Sequence, residues 1–113
     1  MPNDRCFLAI DLGASSGRAV LGTLEGARMR MREIHRFRTP LVEEAGHLYW
    51  ELSALETEIG EALRLALEQA PALRSVSVDS WAVDYVPLGG DGAPLRRPYA
   101  YRDARTRGRM DEA

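Results

Sequence analysis

Residues 7–12 constrain the chain more than any other stretch. Phe7-Leu8-Ala9-Ile10-Asp11-Leu12 is a nearly continuous apolar run with a carboxylate set into its end, and it stops at Gly13. A run of this length bounded by glycine fits a strand buried on both faces better than a helix. Gly13-Ala14-Ser15-Ser16-Gly17 then supplies small turn residues, and Arg18 to Leu24 resumes with Val20, Leu21 and Leu24. The simplest expectation is strand, tight turn, strand.

Beyond Glu25-Gly26, arginines at 28, 30 and 32 alternate with Met29 and Met31. That period of two predicts a half-buried third strand with its arginines facing water. Residues 39–46 read as a looser stretch. Ser53-Ala54-Leu55-Glu56 has the form of a capping box and predicts a helix start. Leu55, Ile59, Ala62, Leu63, Ala66, Leu67 and Ala70 follow at helical spacing, and Pro71 stops the run. Ser75-Val76-Ser77-Val78-Asp79 reads as a fourth strand, reached by a crossover onto the same sheet. Val83–Leu88 and Leu95–Tyr101 flank the hairpin turn Gly89-Gly90-Asp91-Gly92, and Asp103 is placed to cap a last helix.

Composition narrows the chemistry. With 113 residues, 45% of them apolar, the chain is expected to form one domain at most. All 15 basic residues are arginine, so within this sequence no P-loop ammonium, Schiff-base amine or kinase lysine pair exists. One cysteine, Cys6, expected in the core, and two histidines, His35 and His47, cannot close a four-ligand zinc site. No apolar run approaches the roughly 20 residues of a membrane span, and Met-Pro-Asn-Asp-Arg lacks the apolar region of a secretory signal. A cytoplasmic location is expected. The net charge of −2 argues against a dedicated nucleic-acid binder. The arginines at 28, 30, 32, 36 and 38 are the local exception, and without interleaved aromatics the stripe at 28, 30 and 32 reads as a solvated strand face.

Three clusters carry candidate chemistry. In Asp11–Arg18 a strand delivers a carboxylate to the lip of a turn rich in N–H donors and hydroxyls. Such a turn, with Ser15 and Ser16, is able to hold phosphate oxygens while Asp11 holds a divalent cation through water; the competing reading is a plain strand end and hairpin. Asp79, Ser80, Trp81 and Asp84 follow the C-terminal end of a parallel strand, where ligands of open α/β sheets sit. Trp81 offers a face for a sugar ring, or fills a core. Tyr99, Tyr101, Arg102, Asp103 and Arg105 read as a surface ion-pair group. The two histidines read as structural, since no G-x-S-x-G elbow accompanies them.

Taken together, AIDLGASSGR at 9–18, REIHRF at 32–37, the segment GHLYWEL from Gly46 to Leu52, VDSWAVDYVPL at 78–88 and YAYRDARTRG at 99–108 resemble the FGGY family of carbohydrate kinases, and within it the rhamnulokinases. The resemblance covers nearly the whole chain. It implies an α/β fold of ribonuclease H-like type, as in the actin, hexokinase and Hsp70 superfamily, opening with three antiparallel strands, a helix and a parallel strand. It makes residues 1–113 the incomplete N-terminal lobe of an enzyme that uses ATP and Mg2+ to phosphorylate L-rhamnulose at its 1-hydroxyl; the alternatives are a kinase for another ketose or polyol, and a non-catalytic fragment. By resemblance, Ala14, Ser15, Ser16, Gly17 and Arg18 form the first phosphate motif and Asp11 lies near the magnesium. Trp81, Ala82 and Asp84 belong to the sugar site. Where the family has W-G-V-D this chain has Ala82, a methyl where backbone approaches substrate. The aspartate base is expected outside these residues, so no acid here is assigned as catalytic.

Overall fold

In the computed structural model, which describes residues 5–113, the apolar run lies in β1 (Arg5–Leu12), and a short turn leads back through β2 (Ser16–Glu25). The opening residues 1–4, read above for the lack of a signal sequence, lie outside the described residues. β3 (Arg28–Arg38), an 18-residue helix α1 (Leu52–Gln69) and, after two short strands described below, β6 (Ser75–Asp79) complete a four-stranded sheet of order β3-β2-β1-β6. β1 runs antiparallel to β2 and parallel to β6, the crossover expected from strand–helix–strand.

Register assigns the faces. Leu8 opposes Leu21, Ile10 opposes Ala19 and Leu12 opposes Gly17, so these side chains share one side of the sheet. Ala19 in turn opposes His35, whose Nε2 lies 2.6 Å from Glu58 Oε2 on α1, which places the helix over that side. Leu8, Ile10, Ala19 and Leu21 are buried there, while Ala9 and Asp11 on the other side are exposed. The expectation of a strand buried on both faces is therefore corrected: among the described residues only one face is covered. Cys6 sits at the margin of that face, half-buried, its Sγ 3.6 Å from Thr23 Oγ1.

β3 departs further from its expected pattern. Arg28, Arg30 and Arg32 oppose Glu25, Thr23 and Leu21, which puts the arginines on the α1 side, past the end of the covered core, and leaves Met29 and Met31 exposed on the open side. Half-burial fails because the helix covers one side only. A bulge then takes up Ile34: Val20 opposes Glu33 and Ala19 opposes His35. The extra residue resets the alternation, so His35 and Phe37 turn onto the α1 side and Arg36 and Arg38 onto the other.

In α1 the residues pressed to the sheet are Leu55, Ala62 and Ala66, the alanines fully buried. Leu63 and Leu67 stay exposed, since each lies one 100° step beyond an alanine that already faces the sheet. The helix begins at Leu52, one residue ahead of the expected start, and the Ser53 hydroxyl donates to Glu51 Oε1 at 3.0 Å.

The described chain divides into two compact units, the sheet and most of α1 forming one, and residues 40–54 with 82–113 the other. In the second unit the stretch read as loose is a hairpin, β4 (Leu41–Glu44) and β5 (His47–Trp50), turning through Ala45 and Gly46 at φ 51° and 80°. Two successive positive φ values are what a two-residue hairpin turn requires, and Ala45 is a non-glycine residue at that cost. Residues 98–100 line the free edge of β5, with Trp50 N donating to Pro98 O and Ala100 N to Leu48 O. The glycine turn at 89–92 forms as expected, closed by a bridge between Leu88 and Pro94. Its flanks make no regular ladder, as prolines 87, 94 and 98 remove donors. Asp103 caps a single 3-10 turn, Ala104–Thr106, and a four-residue helix α2 (Arg109–Glu112) follows. No described helix is long and apolar enough to cross a membrane.

Candidate functional site

The turn between β1 and β2 is held from behind. Gly13 N donates to Ser16 O at 3.1 Å, and a Cβ on Gly13 would stand 2.7 Å from that same oxygen, so only glycine closes this turn without displacement. Thr39, which follows β3 and is buried, donates its hydroxyl to Gly13 O at 2.7 Å and its amide to Ser15 O at 3.1 Å. Ser15 is exposed, Ala14 and Ser16 half-buried, and the Ala14 amide has no acceptor among the described residues. Gly17 has a different reason for being glycine. It is buried between Leu12 and Phe37, and a Cβ there would lie 2.1 Å from the tip of the Phe37 ring.

Beside the turn, a row of charged side chains crosses the open face. Arg36, Arg18, Asp11 and Asp79 are register neighbours on β3, β2, β1 and β6. Arg18 Nε lies 3.8 Å from Asp11 Oδ2, and both side chains are about half exposed. Glu33 takes Arg36 in two hydrogen bonds of 2.6 and 3.0 Å; these hold its carboxyl below the usual range against some desolvation, with the charges of Arg36 and Arg18 adding to the effect. Asp11 belongs to the run expected to be buried on both faces, but its side chain is exposed, so no cost of burying a charge arises there. The donor set still suits a hard cation: two carboxylates on adjacent parallel strands, with serine hydroxyls in the nearby turn, are oxygen ligands of the kind Mg2+ takes along with water and phosphate. No group of three or more acidic, histidine or cysteine side chains forms a closed cage among the described residues.

The W-A-V-D segment passes from one unit into the other: half-buried Trp81 ends the first, and exposed Ala82 begins the second. Asp84 is fixed within the second unit, where the indole Nε1 of fully buried Trp50 donates to its Oδ2 at 2.5 Å. Asp84 borders a cavity of 310 Å³ that Tyr85, Ala100, Tyr101 and Arg105 also line. The third cluster is corrected. Asp103 is no surface ion-pair member but a buried hub that accepts Leu48 N at 2.7 Å, Arg105 N at 3.0 Å and His47 Nδ1 at 3.1 Å. Burial pushes its carboxyl up, and the hydrogen bonds from Leu48, Arg105 and His47 outweigh it and leave it below the usual value. Tyr99 stacks on Tyr49 at 4.8 Å and carries the Arg96 and Arg105 guanidinium groups at 4.7 and 4.3 Å from its ring centre. Both histidines serve as structural partners of carboxylates, His35 of Glu58 and His47 of Asp103.

Two residues bearing on these sites carry no local sequence signal as functional groups. Thr39 is a single hydroxyl before Pro40, and Trp50 is one apolar residue of the GHLYWEL segment. What marks each is tertiary: the carbonyls Thr39 ties down and the carboxylate Trp50 holds.

No protein-family model matches the chain. It is 45% identical over 102 residues to the rhamnulokinase of Bacteroides thetaiotaomicron, 90% of this chain and 21% of that protein. It is 46% identical over 106 residues to the rhamnulokinase of Pectobacterium carotovorum, 92% of this chain and 21% of that one. The chain thus spans about a fifth of the length of the curated relatives it matches. Among solved structures, xylulose kinase from Rhodospirillum rubrum superposes with a TM-score of 0.72 at 18% identity, over 96% of this chain and 23% of that one. Gluconate kinase from Lactobacillus acidophilus superposes at 0.70 and 15%, over 87% of this chain and 20% of that one. The fold is that of the sugar kinases, and the resemblance to rhamnulokinases carried by the motifs is borne out.

Proposed function

We propose that this chain is the segment of an ATP-dependent sugar kinase that receives the nucleotide phosphates and forms one wall of the sugar site, and that the whole enzyme transfers the γ-phosphoryl group of ATP to the 1-hydroxyl of L-rhamnulose in the cytoplasm. The observation that supports it most is the β1–β2 turn, where AIDLGASSGR folds into a hairpin with an exposed carboxylate at its lip and an amide donor that has no acceptor among the described residues. Phosphoryl transfer asks mainly for positioning and charge neutralisation. Ala14, Ser15, Ser16 and Gly17 offer backbone donors and hydroxyls to phosphate oxygens, and Arg18 adds a positive charge beside them. Asp11 would hold Mg2+, with the ion supplying neutralisation of phosphate charge. Trp81 at the end of the first unit, and Ala82 and Asp84 in the second, are the residues assigned to sugar binding, Asp84 being held by the Trp50 indole. No acid of this chain is assigned as the base that deprotonates the sugar.

The test is a chimera in which the matching 102 residues of the Bacteroides thetaiotaomicron rhamnulokinase are replaced by this chain. ATP- and Mg2+-dependent phosphorylation of L-rhamnulose is the expected result. Equal rates on xylulose or glycerol would move the assignment to another ketose or polyol kinase. A folded chimera without turnover would overturn the reading.

A further inference from the structure

We infer that Thr39 is a positioning residue for phosphate binding: it draws two carbonyls of the β1–β2 turn inward and thereby aims the turn's amides outward before any ligand arrives. The inference rests on the phosphate role proposed for that turn. In a trans peptide the C=O and the following N–H point in opposite directions, and no cis peptide occurs among the described residues. Thr39 Oγ1 holds Gly13 O at 2.7 Å, so the N–H of Ala14, in the same peptide plane, points away from Thr39. Thr39 N holds Ser15 O at 3.1 Å, and the N–H of Ser16 is turned away in the same manner. Both bonds come from one residue, nearly removed from solvent and anchored at the end of β3. A turn of small residues pinned at one bond alone would sample several peptide orientations, and each would present its donors differently. Held at two carbonyls, it offers one, and an anion finds its donors without reordering them.

The hydroxyl is the separable half of this device, because any residue at 39 other than proline keeps the backbone bond. Thr39→Val preserves shape and branching and removes only the donor to Gly13 O, whereas Thr39→Ser keeps that donor. MgATP is titrated into the 15N-labelled chain while the Ala14, Ser15 and Ser16 amides are followed by NMR. The expected result is saturable movement of these amides in the parent and in Thr39→Ser, with binding about tenfold weaker in Thr39→Val. Affinity in Thr39→Val within twofold of the parent would overturn the positioning role while leaving the phosphate turn intact. Absence of any shift in the parent would overturn the phosphate turn itself, and the inference with it. If Thr39→Val fails to fold, Thr39→Ser and Thr39→Ala decide between them: equal affinities refute the role, and a loss confined to alanine supports it.

Discussion

Replacing Gly17 by alanine isolates one packing contact and separates it from any role in binding. The new methyl would sit 2.1, 2.5 and 2.8 Å from three atoms of the Phe37 ring, where carbon pairs settle at about 3.5–4.0 Å. The ring therefore has to move by more than 1 Å, roughly the shortfall at its tip. It has little room, being 7% exposed and flanked by the His35 ring at 5.7 Å. Overpacking of this kind costs about 1–3 kcal/mol. For 113 residues the unfolding entropy is about 0.24 kcal/mol/K, so a loss of about 2 kcal/mol lowers Tm by about 8 °C. Circular dichroism melts of the parent, Gly17→Ala and the double variant Gly17→Ala/Phe37→Leu measure it, the leucine restoring part of the loss by vacating the ring's place. A Gly17→Ala melt within 2 °C of the parent, about 0.5 kcal/mol, would show that the ring yields freely and that the argument from Phe37 is mistaken.

Other outcomes follow from the same geometry. Asp103 has a depressed carboxyl pKa in the folded chain, so it contributes stability above the unfolded value of about 3.9 that is lost as pH falls through the lower folded value. Hydrogen exchange at the Leu48 amide should accelerate over that acid range in the parent, and Asp103→Ala should exchange fast already at pH 7; protection of Leu48 in the alanine variant would contradict the hub. Asp11→Asn in the chimera should weaken Mn2+ binding read by electron paramagnetic resonance while the sugar KM stays within twofold, and unchanged Mn2+ affinity would remove Asp11 from the metal site. Ala82 is exposed, so Ala82→Leu should melt within about 1–2 °C of the parent, as surface changes usually do. If Ala82 lines the sugar site, the sugar KM rises several-fold with that for ATP unmoved, and unaltered sugar kinetics would sink the assignment.

Where local pattern and tertiary position agreed, the sequence was sufficient. The β1–β2 hairpin, the helix ended by Pro71 and the parallel β6 each follow from apolar spacing and turn residues. Asp11 and the Ala14–Arg18 turn fall together at one end of the sheet for the same reason. Burial was legible only in part, because a strand's pattern does not say how many of its faces will be covered: Ala9 and Asp11 belong to an apolar run yet face outward. The hairpin at Leu41–Trp50 was missed because its turn uses Ala45 in a conformation that favours glycine or asparagine. Asp103 read as a surface charge because its three donors arrive from β5 and from its own turn, over fifty residues apart in part. Thr39 and Trp50 matter through partners 26 and 34 residues away, a distance at which no motif window sees them.

The bulge at Ile34 has an electrostatic consequence for the molecule's surface. Arginines 28, 30, 32, 36 and 38 are all even-numbered, and an unbroken strand would array all five along a single side at a repeat of about 6.8 Å. That would be a cationic rail, a generic attractor for polyanions regardless of their identity. One additional residue, slipped between Glu33 and His35, divides the five into three and two on opposite sides, and Glu25 and Glu33 each occupy a member of one group. With that division the strand holds the same five arginines without presenting polyanions a continuous track.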